Sequence, residues 1–141
     1  MPILNYTTGI APEKTVSEIQ RILGAKGATR VSIDYAQGKA VAVTFGLDVA
    51  GAPVSFRLPC NVEGIRASLK RDKKMTAARD TAQCQRIAWR IVKDWVEAQM
   101  ALVEAGQAEV AEVFLPYAIH SNGQTVFQAI KNRQLQLASG A

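Results

Sequence analysis

The stretch VSIDYAQGKAVAVTFGL, residues Val31 to Leu47, decides the fold. Val31, Ile33 and Tyr35 alternate with Ser32 and Asp34, Gln37-Gly38 interrupts, and Val41, Val43, Phe45 and Leu47 then alternate with Ala42, Thr44 and Gly46. A period of two puts every second side chain on one face of a strand, and a glycine-containing pair between two such runs closes a hairpin. Downstream, Asp48 to Pro53 breaks the pattern, and Val54, Phe56 and Leu58 resume it against Ser55 and Arg57. Three successive strands joined by short turns predict an antiparallel meander with one apolar face. Slipping a strand by one residue would turn its hydrophobic set to solvent, so the register is strongly specified. The opposite face offers Arg30, Ser32, Asp34, Thr44, Ser55 and Arg57, open to water or to a partner.

On either side of this stretch the period becomes helical. Thr15 to Glu18 has the T-x-x-E spacing of a capping box, Val16, Ile19 and Leu23 recur at helical spacing, and Gly27 is placed to end the helix in a left-handed conformation. After the meander, Pro59 stops the third strand and Asn61 caps a helix whose Val62, Ile65 and Leu69 face the core. Asp80 and Gln83 open the longest helix, which runs to about Ala105 with Gly106 as its stop. Cys84, Ala88, Ile91, Trp95, Ala98 and Leu102 form one apolar row on it, and Trp89, Val92, Val96 and Val103 form a second. So wide an apolar surface marks the central packing element, and it also permits a homodimer. Ala108 to Phe114 predicts a short helix ended by Leu115-Pro116, Asn122-Gly123 a turn, and Val126, Phe127 and Ile130 a terminal helix to about Leu137. The expected architecture is a single α+β domain over 1–141, with helix, meander and helix over 15–74 and a helical half over 80–137 packed on it. Met1 to Pro12 and the residues after Leu137 are the expected loose ends.

The chain has 141 residues, 48% hydrophobic and 21% charged, the balance of one ordinary globular domain. No apolar run approaches the roughly 18 residues of a membrane span, and no basic-then-apolar leader opens the chain, so a cytoplasmic protein without membrane contact is expected. Cys60 and Cys84 are far apart and lack a C-x-x-C spacing, and His120 is the sole histidine. Reduced, buried thiols and no metal site follow. The phosphate-cradling G-x-x-x-x-G-K-S/T, the dinucleotide G-x-G-x-x-G and the nucleophile G-x-S-x-G are all missing, and Gly24 to Gly27 reads as a helix exit. His120 beside Ser121-Asn122-Gly123 reads as a loop residue, and Glu104, Glu109 and Glu112 as a solvated face. The expectation is a non-enzymatic protein that needs no cofactor.

Charge carries the functional content. Arg66 to Lys93 holds nine Lys/Arg against two Asp, and Asp94 to Glu112 holds five carboxylates and no base. Lys70, Arg71, Lys73 and Lys74 lie at a helix exit, with Arg79, Arg86, Arg90 and Lys93 beyond, and spacings of three and four give the last group a common side. One continuous basic face of this kind suits the backbone of DNA or RNA. Trp89 and Trp95 fall on the apolar rows, so no aromatic interleaves the bases, and contact with little sequence preference is expected. The competing reading pairs Arg90 with Asp94 and Lys93 with Glu97 in an ordinary solubilising face.

Two resemblances accompany these observations. The order helix, three-stranded meander, helix over residues 15–74 resembles that of double-stranded-RNA-binding domains. That family's lysine-rich start of the second helix is replaced here by Asn61-Val62-Glu63-Gly64 and its loop histidine motif is missing, so the resemblance covers element order alone. The run Ala88-Trp89-Arg90-Ile91-Val92-Lys93-Asp94-Trp95-Val96-Glu97-Ala98-Gln99, continued by Val103-Glu104-Ala105-Gly106 and Val113-Phe114-Leu115-Pro116-Tyr117, resembles a family of small phage and prophage proteins. The helix from Thr15 to Leu23 and the Phe56 to Gly64 stretch fit the same pattern. That resemblance implies a setting, the cytoplasm of an infected bacterium, with a task in replication, recombination or the blocking of host defence. It carries over no catalytic residues. The alternative function is therefore a protein-binding inhibitor of a bacterial defence nuclease or other host nucleoprotein. In it the bases would block a nucleic-acid contact, or the carboxylates from Glu97 to Glu112 would imitate a line of phosphates.

Overall fold

The computed structural model describes residues 2–140; Met1 and Ala141, which fall in the two ends expected to be loose, lie outside them. Strands β1 (Arg30–Ala36), β2 (Lys39–Val49) and β3 (Ala52–Pro59) form an antiparallel sheet in the order β1-β2-β3. Both turns are two-residue turns with both φ angles positive: Gln37 at 53° and Gly38 at 77°, Ala50 at 51° and Gly51 at 85°. This mirror-image turn matches the right-handed twist of the strands it joins. The second break is narrower than Asp48 to Pro53, because Asp48 pairs with Pro53 and Val49 with Ala52. Proline is tolerated there because β3 is an edge strand.

The first hairpin carries one irregularity. Asp34 pairs with Ala42 but Tyr35 with Ala40, so Val41 has no partner on β1. Its carbonyl accepts instead from Cys60 N at 2.9 Å. Tyr35 consequently sits on the lip of the sheet, 65% exposed, although the alternation placed it with the buried set.

The sheet buries Val43, Phe45, Leu47, Phe56 and Leu58 under helices. Helix α1 (Pro12–Ala25) contributes Val16, Ile19 and Leu23, and α2 (Val62–Arg71) contributes Ile65 and Leu69. Asn61 caps α2 by accepting from Gly64 N at 2.9 Å. A short helix, α3 (Met75–Arg79), follows the reversal at Lys73 and Lys74 and was not anticipated from the sequence. Helix α4 (Thr81–Glu104) is the long element, capped by the Asp80 carboxylate and followed by Gly106 at φ 72°. It buries Cys84, Ile87, Ala88, Trp89, Val96 and Met100. Ala98 and Leu102, expected in the apolar row, lie at the surface, while Ile87 and Met100 are inside. The covering elements change along the helix: α2 and α3 meet its first turns, and the segment around Phe114 and Tyr117 meets Trp95.

Helix α1 starts earlier than its capping-box spacing implied. Pro12 occupies its first turn behind Ala11, a position where the preset φ and missing N–H of proline cost nothing. Thr15 is therefore inside the helix and fully buried, its hydroxyl donating to Ala11 O at 3.5 Å. The N-terminal segment is not loose where described. Asn5 Nδ2 donates to Asp94 Oδ2 at 2.8 Å, and Gln83 Nε2 donates to the carbonyls of Tyr6 and Thr8, each at 3.0 Å.

Past α4, helix α5 (Val110–Val113) begins with a capping box made by Glu109 and Glu112, and a 3-10 turn follows at Leu115–Tyr117. Phe114 then joins sheet to helix. Its ring meets Phe45 edge-on at 5.5 Å and Trp95 edge-on at 5.4 Å, while Phe45 stacks on Phe56 at 5.1 Å. Ala118 bridges to Phe56, and Ile119 N donates to Ser55 O at 2.8 Å, so the chain covers part of the outer edge of β3. Helix α6 (Val126–Lys131) opens with a Thr125/Gln128 capping box and stops well short of Leu137, which is 72% exposed. Short helices persist through packing rather than propensity, and nothing covers Leu135 and Leu137 well enough to extend this one.

Phe114→Ala removes a fully buried ring that touches both layers and is expected to cost about 3–5 kcal/mol in urea denaturation. Phe127→Ala, at an exposed position on α6, should stay within about 0.5 kcal/mol.

Candidate nucleic-acid interface

The eight bases singled out from the sequence do not share one surface. Arg86, Arg90 and Lys93 lie on the side of α4 that faces α1 and the N-terminal segment, and each is held there. Arg90 Nη1 donates to Glu18 Oε2 at 2.6 Å and to Thr15 Oγ1 at 3.3 Å. Lys93 pairs with Glu97 at 2.7 Å, as the solubilising-face reading anticipated. Arg90, however, takes Glu18 rather than Asp94, whose carboxylate accepts from Asn5. Arg86 donates to Gln83 Oε1 at 2.8 Å and lies 3.9 Å from Asp80. The Arg90 and Lys93 side chains retain only 13% and 15% of their exposure. The polar stripe of α4 is thus a seam between elements. The T-x-x-E spacing of Thr15 and Glu18, read as a cap, supplies its acceptors. No local signal links residues so far apart in the chain.

Arg66 is also withdrawn from the surface charge. It pairs with Glu63 at 3.0 Å, donates to Ala78 O at 2.5 Å and reaches Thr81 Oγ1 at 2.9 Å, fastening α2 to the start of α4.

The other five of the eight lie around the α2–α3 reversal, Lys74 half-exposed and the rest exposed. Lys70 and Arg71 occupy the last turn of α2, where the helix dipole favours cations. Lys73 takes a left-handed φ of 58° and reverses the chain, Lys74 precedes α3, and Arg79 lies in the last turn of α3. Among the described residues none of the five has a carboxylate within 4.0 Å. Lys74 instead lies over the Tyr6 ring, 5.1 Å from its centroid, within cation–π range. Two shallow depressions meet at Lys73 and Lys74. One, of about 250 Å³, is lined by Pro2, Arg71 and Asp72, and the other, of about 480 Å³, by Tyr6, Thr7, Met75, Thr76, Asp80 and Gln83. Ammonium and guanidinium groups, two threonine hydroxyls and an aromatic ring are the set that holds phosphates beside an unpaired base. Tyr6 was invisible to the sequence reading because it lies far from the bases in the chain.

Glu104, Glu109 and Glu112, read as a solvated face, are exposed, and each also has a structural contact. Glu104 pairs with Lys26, Glu97 with Lys93, and Glu109 and Glu112 cap α5. His120 is exposed in its turn beside Ser121. Both cysteines are free thiols in the core. Burial pushes the Cys60 thiol up to about 12 and raises that of Cys84, which keeps both protonated and unreactive at neutral pH. The polar face of the sheet is cross-linked within itself: Thr44 donates to Asp34 at 3.1 Å, and Arg30 reaches Ser55 at 3.4 Å. No helix among the described residues is long and apolar enough to cross a membrane. Comparisons with family models, curated proteins and solved structures find no match.

The Arg90 hydrogen bond holds the Glu18 carboxyl below its ordinary range. A group whose folded-state pKa is depressed stabilises the fold fully above its unfolded value and loses that contribution as pH falls through the folded value. Glu18→Gln is therefore expected to lower the melting temperature at pH 7 and to flatten its decline below roughly pH 5, read by thermal scans across pH.

Proposed function

We propose that this is a non-enzymatic accessory protein that binds the backbone of DNA or RNA. It would do so through Lys70, Arg71, Lys73, Lys74 and Arg79, with Tyr6 offering a ring beside the phosphate track. The single observation that supports this reading is the convergence of Arg71, Lys73 and Lys74, free of carboxylate partners within 4.0 Å, around two joined depressions, with Lys70 and Arg79 exposed on the adjoining helix ends. An ordinary solubilising face mixes signs evenly, whereas this one sets five bases against Asp72 and Asp80 over residues 70–80. Few base-edge donors stand nearby, so affinity without strong sequence preference is expected. The setting of phage infection in a bacterial cytoplasm rests on the sequence resemblance alone.

With four or five phosphates neutralised, affinity should fall roughly 100- to 500-fold between 50 and 200 mM salt. Fluorescence anisotropy with labelled single- and double-stranded DNA and RNA measures this. Converting Lys70, Arg71 and Lys73 to Glu should abolish binding. Arg86→Gln should leave it intact, because that side chain is tied to Gln83 and Asp80. Binding that ignores salt and the triple substitution defeats the proposal. Capture of a host protein that survives nuclease treatment, without affinity for either nucleic acid, would favour the inhibitor reading instead.

A further inference from the structure

The two edges of the sheet are treated differently. On the β3 side, Ala118 and Ile119 lie against Phe56 and Ser55 and cover part of the edge. On the β1 side, no backbone group of Arg30–Ala36 is hydrogen-bonded to any element other than β2 among the described residues. A free edge is a row of unpaired N–H and C=O groups, and proteins that keep such an edge single guard it with proline, charged side chains (lysine above all), a short strand, a bulge or a covering element. The two charges of this strand are opposite in sign and so do not repel a second copy. The strand reads Arg-Val-Ser-Ile-Asp-Tyr-Ala, without proline or lysine, and the sheet's irregularity leaves its extra residue on β2. Val31, Ile33 and Tyr35 are good strand formers, and Tyr35 is exposed at this lip.

The charges on β1 select a partner. Arg30 and Asp34 lie on the polar face, equidistant in sequence from Ser32. Within one copy Arg30 reaches Ser55 at 3.4 Å, and Asp34 accepts from Thr44 and lies 3.8 Å from Arg57. These are solvent-facing contacts that pairing across the edge would exchange for ion pairs. When two copies of β1 run antiparallel with Ser32 opposite Ser32 of the second copy, each Arg30 falls opposite an Asp34. The same register sets each Val31 opposite an Ile33 and each Tyr35 opposite a Thr29. It keeps the apolar side of both sheets on one side, because the pairing joins odd positions to odd and even to even. Shifting by two residues in either direction removes the Arg30–Asp34 pairing, and shifting by one turns the apolar side chains outward. A two-fold interface requires this kind of self-complementarity. Opposite charges and β-branched or aromatic pairs facing each other are the contacts that stabilise paired strands.

We propose that β1 is a homodimerisation edge: two copies of this chain pair through Arg30–Ala36 about a two-fold axis at Ser32, making one six-stranded sheet. The occupant is a second copy rather than a foreign strand, because the charge pattern complements itself. This inference stands apart from the nucleic-acid reading, since the two use different residues.

Sedimentation across a concentration series is expected to show a monomer–dimer equilibrium. Arg30→Asp and Asp34→Arg should each raise the dimer dissociation constant on the order of tenfold or more, since one substitution alters both symmetry-related pairs. Mixing the two variants should restore association, because one chain then offers two acids and the other two bases. That rescue separates loss of pairing from loss of folding. Ser32→Cys should give a disulfide-linked dimer under mild oxidation, since side chains directly opposite lie about 4.5–5.5 Å apart at Cβ. The exposed Ser17→Cys on α1 should not. A chain that stays monomeric at high micromolar concentration overturns the proposal. So does a dimer indifferent to Arg30 and Asp34, or one in which Ser32→Cys does not cross-link.

Discussion

A guanidinium can leave water only where its charge and its donors are met. Arg90 meets that condition through Glu18 and Thr15, both on α1, and the rest of the molecule is arranged around the contact. It joins the first helix to the longest one across about half of the chain, and the Lys26–Glu104 pair continues the seam at the far end of both helices. Asn5 and Gln83 extend it in the other direction and dock the N-terminal segment. A half-buried ion pair of this kind adds little net stability over an apolar contact, but misplacing either partner leaves a charge poorly solvated, so it favours one alignment of α1 on α4.

The seam also decides which charges remain for a partner. A helix face with Arg86, Arg90 and Lys93 at regular spacing has the look of a polyanion-binding surface, yet those side chains complete the protein's own interior. What stays outside is the cluster where α2 ends, the chain reverses at Lys73 and α3 begins. Its cations are presented by a helix end and a left-handed turn, and the N-terminal segment brings Tyr6 beside them. The docking that hides one basic surface therefore completes the other.

Much of the fold was legible locally. The alternation from Val31 to Leu58 placed the meander, Asn61 and Asp80 placed two helix starts, and Gly27 and Gly106 placed two stops, because such signals act over a few residues. The failures share a cause. Thr15 and Glu18 looked like a cap because their spacing is right for one, and only Arg90 reveals their other use. Val126, Phe127 and Ile130 suggested a terminal helix to about Leu137, but without cover the helix does not hold past Lys131. Tyr35 fell out of the buried set because one unpaired residue in β2 brought Ala40 opposite it.

The sequence by itself determined the α+β class, the order and antiparallel sense of the three strands, the dominance of the Thr81–Glu104 helix and the total of charges available. These follow from periodicity and from turn and cap chemistry, which reach only a few residues along the chain. Tertiary structure alone decided which bases are neutralised, which aromatic ring lies beside the free ones and which sheet edge is left unpaired. Each of those depends on side chains distant in sequence meeting in space, where removal from water makes pairing obligatory for a charge and burial the stable state for an apolar ring.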